Sequence, residues 1–332
     1  MRIVSKAPCR VDMAGGTLDI WPLYLFHKNA VTVNFAVDRY ASCVIESRDD
    51  AQIVLRSHDL AGKETFESLD ELSEAKAYRL PLLAHLVKFF APATGLNLST
   101  DSEAPAGAGI AGSSTLIIAV STALNCFTSR GYSLEKRREI SQNIEAQIIR
   151  VPTGAQDYYP AMYGGVCAIE LRESGIERHS VDVDPEDLNE RFVLAYTGTP
   201  RNSGINNWEV MKAHIDGDTS VHRNFDRISA IANAMRTALE RADWTEVARL
   251  LREEWAHRKQ NAPKISTPLI DELMNAANRA GCVGAKVCGA GGGGCVLFLV
   301  ERGAKGKVAE VIRAGGGTVI DTRVAPGGVS VN

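Results

Sequence analysis

The sequence predicts an α+β fold of two domains. Its first third contains runs rich in β-branched residues at hairpin spacing, at 30–37, 40–46 and 52–56, which favour an antiparallel sheet. Its last part alternates strand and helix patterns, as a small α+β sandwich does. A length of 332 residues suits two domains better than one. A polar stretch supplies the boundary, so we predict domains at 1–185 and 186–332.

Composition and charge exclude several classes of partner. The net charge is −3 and no polybasic run occurs, which argues against nucleic acid or an acidic membrane surface. No apolar stretch reaches the roughly 18 residues of a membrane span, and the first residues lack a secretory signal pattern. We therefore expect a cytoplasmic protein. Its seven cysteines form no C-x-x-C pair, so we expect reduced, mostly buried thiols and not a metal or disulfide cluster.

The N-terminal stretch predicts two short strands separated at Pro8, the second carrying Arg10. Gly15 and Gly16 then end the strand, and a turn follows. Asp19 lies in this turn between glycine and aromatic residues. A carboxylate placed there suits the hydroxyls of a ligand, although a turn aspartate often bonds only its own backbone.

Residues 103–115 predict an anion-binding loop that leads into a helix. The loop contains three glycines, Gly107, Gly109 and Gly112. Glycine admits backbone conformations in which several N–H groups turn toward one ligand. Ser113, Ser114 and Thr115 are residue types that cap helices, and the apolar run 116–124 supplies the helix. The positive end of that helix would face a phosphate.

Two better-known loops fit this stretch by letter and fail on context. Residues 107–112 read G-x-G-x-x-G, but no apolar strand leads in and no acidic residue follows at 128–132 for a ribose. Residues 107–114 match a P-loop, except that Ser113 stands where the lysine belongs. A glycine-rich turn without a ligand, before a core helix, stays open as the alternative.

Two acidic residues after this helix, Glu145 and Asp157, are candidate functional residues. Ser133 caps a second helix whose isoleucines recur every four residues, and Glu145 lies beside that apolar stripe. Glu145 is either a residue at the core edge or a metal ligand. The breaker-rich loop 151–160 carries Gln156 and Asp157, and an aspartate between a helix and a strand is as often structural as catalytic.

The remaining pattern consists of helices and strands with one more glycine run. We predict helices at 72–90, with Pro81 as kink or boundary, at 202–212, 220–241 and 243–260, the last with Asp243 as its cap, and at 266–280 and 305–313. Residues 289–294 again read G-x-G-x-x-G, but a strand follows instead of a helix. Such a run usually marks a place where another backbone or a ligand passes close by.

Three motifs in order carry a resemblance to a known family: residues 7–19, 105–115 and 286–294. With them the chain resembles the GHMP kinase superfamily, named for galactokinase, homoserine kinase, mevalonate kinase and phosphomevalonate kinase. Asp19 after Gly15-Gly16, and Glu145 twelve residues before Asp157, are most similar to the heptose-phosphate and fucose kinase branch. The resemblance implies an N-terminal domain like the second domain of ribosomal protein S5, a ferredoxin-like C-terminal domain, and a site between them.

The resemblance also implies ATP and Mg²⁺ as cofactors and assigns roles by position. The residues that would wrap the ATP phosphates are Pro105, Gly107, Ala108, Gly109, Ile110, Ala111, Gly112, Ser113 and Ser114. Ser113 and Glu145 would hold Mg²⁺ directly or through water. Asp157 would face the acceptor hydroxyl beside Arg10, either as a general base or only to orient it.

The acceptor implied by the resemblance is a sugar or sugar phosphate. The residues that would bind it are Gly16, Thr17, Asp19, Gln156 and Arg201. Two positions depart from the family pattern Gly-Leu-Gly-Ser-Ser: Ala111 replaces a glycine and Gly112 the first serine. The departure leaves open whether Ser113 or Ser114 meets the metal.

We therefore expect an ATP-dependent kinase that phosphorylates a sugar or sugar phosphate such as heptose 7-phosphate at the anomeric hydroxyl. A mevalonate-type kinase, a catalytically silent nucleotide-binding protein and a dinucleotide oxidoreductase are the alternatives. A homodimer is compatible with the sequence.

Overall fold

The structure is a computed structural model that describes residues 1–200, 203–261 and 264–332, without the side chains of residues 203–207. These residues form twelve strands: Arg2–Ala14 (β1), Val31–Ser47 (β2), Ile53–Ser57 (β3), Gly62–Phe66 (β4), Leu96–Ser102 (β5), Val166–Arg172 (β6), Gly175–Ser180 (β7), Phe192–Tyr196 (β8), Cys282–Val287 (β9), Cys295–Val300 (β10), Thr318–Ile320 (β11) and Ser330–Val331 (β12).

The same residues form eleven α-helices and a 3₁₀ helix at Leu23–Phe26. The α-helices are Leu69–Glu74 (α1), Pro81–Phe90 (α2), Gly112–Phe127 (α3), Leu134–Ile149 (α4), Tyr158–Tyr163 (α5), Pro185–Arg191 (α6), Ser203–Ile215 (α7), Thr219–Glu240 (α8), Trp244–Asn261 (α9), Pro268–Asn278 (α10) and Lys305–Ala314 (α11). Among the described residues no helix is both long and apolar enough to cross a bilayer.

An eight-stranded sheet is organised around β2. The order is β12-β1-β2-β5-β3-β4, with β6 also paired to β2 and β7 paired to β6. All of these pairs are antiparallel except β3 with β5, which is parallel. The antiparallel sheet predicted from the first runs is thus confirmed, with one parallel neighbour. β2 is one strand of 17 residues and not the two runs that the sequence suggested.

β1 also passes through the position where we predicted a break. It continues across Pro8, and a register shift against β2 between Pro8 and Cys9 accommodates the proline. Proline has no N–H to donate to the ladder, so an irregularity in the pairing is the expected solution. The prediction of two separate strands was wrong for this reason.

The second sheet has the order β11-β8-β10-β9, and all its pairs are antiparallel. Counted along the chain within this sheet, the order is fourth, first, third, second, with helices between the first and second and between the third and fourth strands. This is the ferredoxin-like arrangement. The predicted α+β class is confirmed.

The end of the chain returns to the first sheet. Ser330–Val331 pairs with Lys6 and Ser5 of β1, and Val324 forms an isolated bridge with Val37. The last residues of the predicted second domain thus pair with strands of the first, and the division at residue 185 stays a prediction.

Several local predictions can be compared with the helix ends. The Ser133 side chain accepts a hydrogen bond from the N–H of Lys136, and the Asp243 carboxylate accepts one from the N–H of Glu246, so both caps are confirmed. Pro81 is the first residue of α2 and therefore a boundary, not a kink. Six of the seven cysteines are buried, as expected, and Cys126 is exposed.

Candidate active site

The predicted anion-binding loop connects β5 to α3. The helix begins at Gly112 after Ala111, and no described side chain caps its first turn. Ser113 and Ser114 lie inside that first turn, so the prediction that they cap the helix was wrong. Their hydroxyls donate to Glu145 instead. The backbone N–H groups at the helix start are free of side-chain caps, which leaves the positive helix end for an anionic ligand.

Left-handed backbone conformations shape the loop. Gly107 has φ +69°, Gly109 has φ +80°, and Ala111 has φ +64°. The alanine that replaces the family glycine thus keeps a conformation that favours glycine. An L-residue in this region loses roughly 1–2 kcal/mol relative to a right-handed conformation.

The second glycine run lies directly against this loop. A Cβ on Gly294 would approach the Ala108 carbonyl oxygen to 2.7 Å, and the N–H of Cys295 donates to the same oxygen at 2.6 Å. A Cβ on Gly293 would meet the Thr199 carbonyl oxygen, also at 2.7 Å. The prediction that another backbone passes close to residues 289–294 is confirmed.

Arg10 connects the loop to Asp157. Its Nε and Nη2 donate to the Asp157 Oδ1 at 2.9 and 2.5 Å, and its Nη1 donates to the Gly109 carbonyl at 2.7 Å. The Arg10 side chain is 2% exposed, whereas that of Asp157 is 27% exposed. The arginine is therefore buried and held in place by the Gly109 carbonyl, while the Asp157 carboxylate is partly exposed in the cleft.

A buried charge cluster lies beneath this pair, centred on Asp12. The Asp12 Oδ2 accepts from Lys286 Nζ at 2.5 Å and from Arg258 Nη1 at 3.2 Å, and its Oδ1 accepts from the N–H of Gly289 at 2.8 Å. The Nη1 of Arg10 lies 3.8 Å from the Asp12 Oδ1. Burial raises the pKa of Asp12, but the Lys286, Arg10 and Arg258 charges outweigh it and hold that pKa below its usual range.

Glu254 completes the Asp12 cluster, 3.4 Å from Lys286 and 3.8 Å from Arg258. Apart from Arg10, we did not single out any member of this cluster from the sequence. Two signals were present: a lysine inside the otherwise apolar strand β9, and an acid four residues before a base on the buried side of α9.

Glu145 occupies a different kind of site. Its oxygens accept from the hydroxyls of Ser113 at 2.9 Å, Ser114 at 3.1 Å and Thr153 at 3.4 Å, and from Tyr158. The side chain is buried, and burial raises its pKa. The ion pairs of the described residues include none with Glu145. A buried carboxylate among hydroxyl oxygens, without a protein cation, fits a hard divalent cation such as Mg²⁺.

Asp19 is a further buried carboxylate, next to Asp157. It is 2% exposed, and its Oδ2 accepts from the N–H of Gln156 at 2.9 Å. A Cβ on Gly154 would come within 1.9 Å of that oxygen, so only glycine fits there. Burial and the neighbouring Asp157 raise the pKa of Asp19 to about 6.

The structure brings most of the predicted site residues to one open cleft of about 400 Å³. Those that line it are Arg10, Thr17, Asp19, Pro105, Gly107, Ala108, Gly109, Ala111, Gly112, Ser113, Ser114, Glu145, Gln156 and Asp157. Ile110 packs into the core, and Gly16 lies against Arg258 and Asp12, so neither lines the cleft. Arg201 lies outside the described residues. The individual roles of these residues stay predictions.

The fold and the cleft define a two-domain α+β protein. Its cleft combines a helix start that can bind an anion with three carboxylates, those of Asp19, Glu145 and Asp157. Residues 76–165 match the family model described as the GHMP kinases N terminal domain, and residues 235–317 match the model described as GHMP kinases C terminal. The chain therefore belongs to the GHMP kinase family, as its motifs predicted.

Individual relatives match nearly the whole chain. It is 26% identical to the D-glycero-alpha-D-manno-heptose 7-phosphate kinase of Campylobacter jejuni, over 98% of both chains. It is 24% identical to the mevalonate kinase of Pyrococcus abyssi, over 99% of this chain and 97% of the relative. The crystal structure of a D-glycero-D-manno-heptose 1-phosphate kinase from Bacteriodes thetaiotaomicron has a TM-score of 0.80 at 22% identity and covers 99% of this chain and 98% of its own. That structural likeness shows the fold.

Proposed function

We propose that this protein is an ATP-dependent kinase that transfers the γ-phosphate to a hydroxyl of a sugar or sugar phosphate, with the anomeric hydroxyl of a heptose 7-phosphate as the leading acceptor. The observation that carries the proposal is the Arg10–Asp157 pair, held by the carbonyl of Gly109 directly beside the helix start. Similarity over 98% of a heptose 7-phosphate kinase supports the choice of acceptor class.

The nucleotide phosphates would lie against the loop and the first turn of α3. No lysine is needed there, because backbone N–H groups, the helix end and Arg10 supply the positive potential. Mg²⁺, when bound, neutralises charge on the phosphates, and Glu145 with Ser113 offers it oxygen ligands. The hydroxyls of Ser113 and Ser114 both donate to Glu145. The Ser113 hydroxyl makes the shorter contact, at 2.9 Å, which favours Ser113 over Ser114 as the second metal ligand.

The acceptor hydroxyl would lie between Asp157 and the phosphate. Asp157 has an oxygen, Oδ2, that is not engaged in its bonds to Arg10, which both end on Oδ1. This second oxygen can accept the proton of the attacking hydroxyl, while Arg10 orients the carboxylate and faces the transferred group. Asp19 would accept hydrogen bonds from other hydroxyls of the sugar.

A coupled ADP-release assay with heptose 7-phosphate, fucose, galactose and mevalonate tests the proposal. We expect turnover with a sugar substrate, highest with heptose 7-phosphate, and a product whose phosphorus signal in NMR shows a phosphate on the anomeric carbon. Turnover with mevalonate alone would overturn the sugar assignment. ATP binding without turnover on any of the four would overturn the kinase proposal and favour a silent nucleotide-binding protein.

A further inference from the structure

We propose a second ligand site, for a zinc-like divalent transition metal ion, at a cluster of three histidines: His27, His214 and His222. One ring nitrogen from each lies within 4.8 Å of a nitrogen of the other two. None of the three lines the cleft described above. The site therefore stands apart from the proposed kinase function, and neither depends on the other.

The hydrogen bonds fix which nitrogens carry protons. His27 Nδ1 lies 2.8 Å from the Asp226 carboxylate, and His222 Nε2 lies 2.9 Å from the carbonyl oxygen of His214. A carboxylate and a carbonyl accept only, so these two nitrogens donate. His27 Nε2 and His222 Nδ1 then carry lone pairs, which is the form that binds a metal.

His214 supplies the third lone pair. Its Nε2 lies 2.9 Å from His27 Nε2, and its buried Nδ1 has no hydrogen-bond partner among the described residues. Since His27 Nε2 accepts in the free protein, His214 Nε2 donates and Nδ1 is left with a lone pair, and a metal ion at His27 Nε2 would replace this hydrogen bond. A buried polar nitrogen without a partner calls for an occupant.

The surroundings have the features of a metal site. Asp226 orients His27 through its second ring nitrogen, as carboxylates do for metal-binding histidines. Phe26 and Phe225 flank the rings and lower the local polarity. His27 also lines a surface depression with Lys28 and Asn29, which provides a path for an ion. Three imidazoles favour Zn²⁺ over Mg²⁺ or Ca²⁺, which prefer oxygen ligands.

The cluster joins three separate segments. His27 follows the 3₁₀ helix Leu23–Phe26, His214 lies in the last turn of α7, and His222 lies in the first turn of α8. A bound ion would fasten the segment that follows Asp19 to the α7–α8 corner. It would act as a structural clamp and stabilise the folded state.

The test uses the full chain after treatment with a chelator and removal of the chelate. Zn²⁺ is added, and bound metal is measured by calorimetric titration and elemental analysis. We expect about one zinc ion per chain, and a rise in Tm of roughly 5 °C at a hundredfold excess over Kd. Co²⁺ in place of Zn²⁺ reports the coordination, because a four-coordinate site gives visible absorption bands far stronger than those of the six-coordinate aqueous ion.

Variants locate the site. His222→Gln, at a half-buried position, should weaken binding at least about tenfold and remove the Tm shift, and Asp226→Asn should weaken it roughly 10- to 100-fold. The matched control is His179→Gln, which belongs to the partly buried group Glu170, Glu177 and His179. It should bind zinc as the wild-type chain does.

Binding of less than about one tenth of an equivalent by the wild-type chain, or Co²⁺ bands no stronger than those of the aqueous ion, would overturn the proposal. So would equal binding by wild type and His222→Gln, or loss of binding in His179→Gln. The wild-type stoichiometry alone decides the matter if a variant fails to fold.

Discussion

Asp12 and Glu145 are both buried carboxylates beside the same cleft, yet the protein surrounds them differently. Asp12 has Lys286, Arg258 and Arg10 within 4 Å, and these charges lower its pKa. Glu145 has only hydroxyl partners, and burial raises its pKa. A carboxylate already neutralised by protein cations holds the structure together, whereas one that contacts only hydroxyls stays available to a cationic ligand.

Asp157 tests the comparison most strongly, because it shares Arg10 with Asp12 but faces the cleft. Replacing it, Asp157→Asn, should lower kcat by roughly 10² to 10⁴ if the carboxylate takes the hydroxyl proton. The fold and the KM for ATP should change little. Steady-state ADP release measures both constants. A kcat close to the wild-type value would reject the role of general base.

Asp12 should show the largest effect on stability. The change Asp12→Asn leaves Lys286 and Arg258 buried without their carboxylate, so the free energy of unfolding should fall by about 3–5 kcal/mol. Urea unfolding measures this loss. Asp50→Asn, which removes the exposed partner of Arg48, is the control and should change stability little. A loss below about 1 kcal/mol for Asp12→Asn would mean that the cluster does not hold the two sheets together.

Asp19 adds a pH dependence to the comparison. Its pKa of about 6 in the folded protein exceeds the ordinary aspartate pKa of 3.8, so the protonated form favours folding, and stability is lost as pH rises from about 4 through 6. Asp19→Asn removes this loss and should stabilise the free protein at pH 8 by on the order of 3 kcal/mol. At pH 4.5 the difference should nearly vanish.

Thermal unfolding of both proteins at the two pH values measures the effect. Acceptor binding should move the opposite way: the KM for the sugar should fall in the wild type as pH rises through about 6, and should be high at every pH in the variant. A stability difference independent of pH would contradict the assignment.

Glu145 gives a smaller and opposite result to Asp12. Glu145→Gln removes a buried charge that has no protein cation, so stability should be kept or raised. The Mg²⁺ concentration for half-maximal activity should rise roughly 10- to 100-fold. Magnesium titrations of the ADP-release rate, together with urea unfolding, separate the two effects. A destabilisation as large as that of Asp12→Asn would erase the distinction between the two carboxylates.

The smallest expected effect concerns the loop itself. Ala111→Gly removes a non-glycine residue from φ +64° and should raise stability by about 1 kcal/mol. Ala91→Gly, at the left-handed end of α2, is the matched control away from the cleft and should give a similar gain. Only Ala111→Gly should alter the KM for ATP. A loss of stability at both positions would contradict the reasoning from backbone conformation.

Local features of the fold could be predicted from the sequence because their causes lie within a few residues. Ser133 and Asp243 each cap a helix by bonding to an N–H in its first turn. The glycine run at 289–294 indicates by its lack of side chains that another backbone passes close by. The three motifs also predicted the cleft, since their order and spacing carry the family resemblance.

Features that depend on distant pairing could not be predicted. Lys286 and Asp12 are separated by 274 positions, and nothing near either residue indicates the other. Ser113 and Ser114 are residue types that cap helices, but their hydroxyls donate to Glu145 on the next helix instead. β1 crosses Pro8 because the long β2 continues beside it and overrides the local break.

The contact between the two glycine runs has a consequence for synthesis of the chain. The carbonyl of Ala108 is held by the N–H of Cys295, which leaves the ribosome nearly two hundred residues later. At about 5–20 residues per second this delay is roughly 10–40 s. The loop lacks its support throughout that interval, so a nascent chain or a fragment ending before the second run should not capture nucleotide. On the proposed function, the loop would become competent to bind nucleotide only after the second glycine run has been translated.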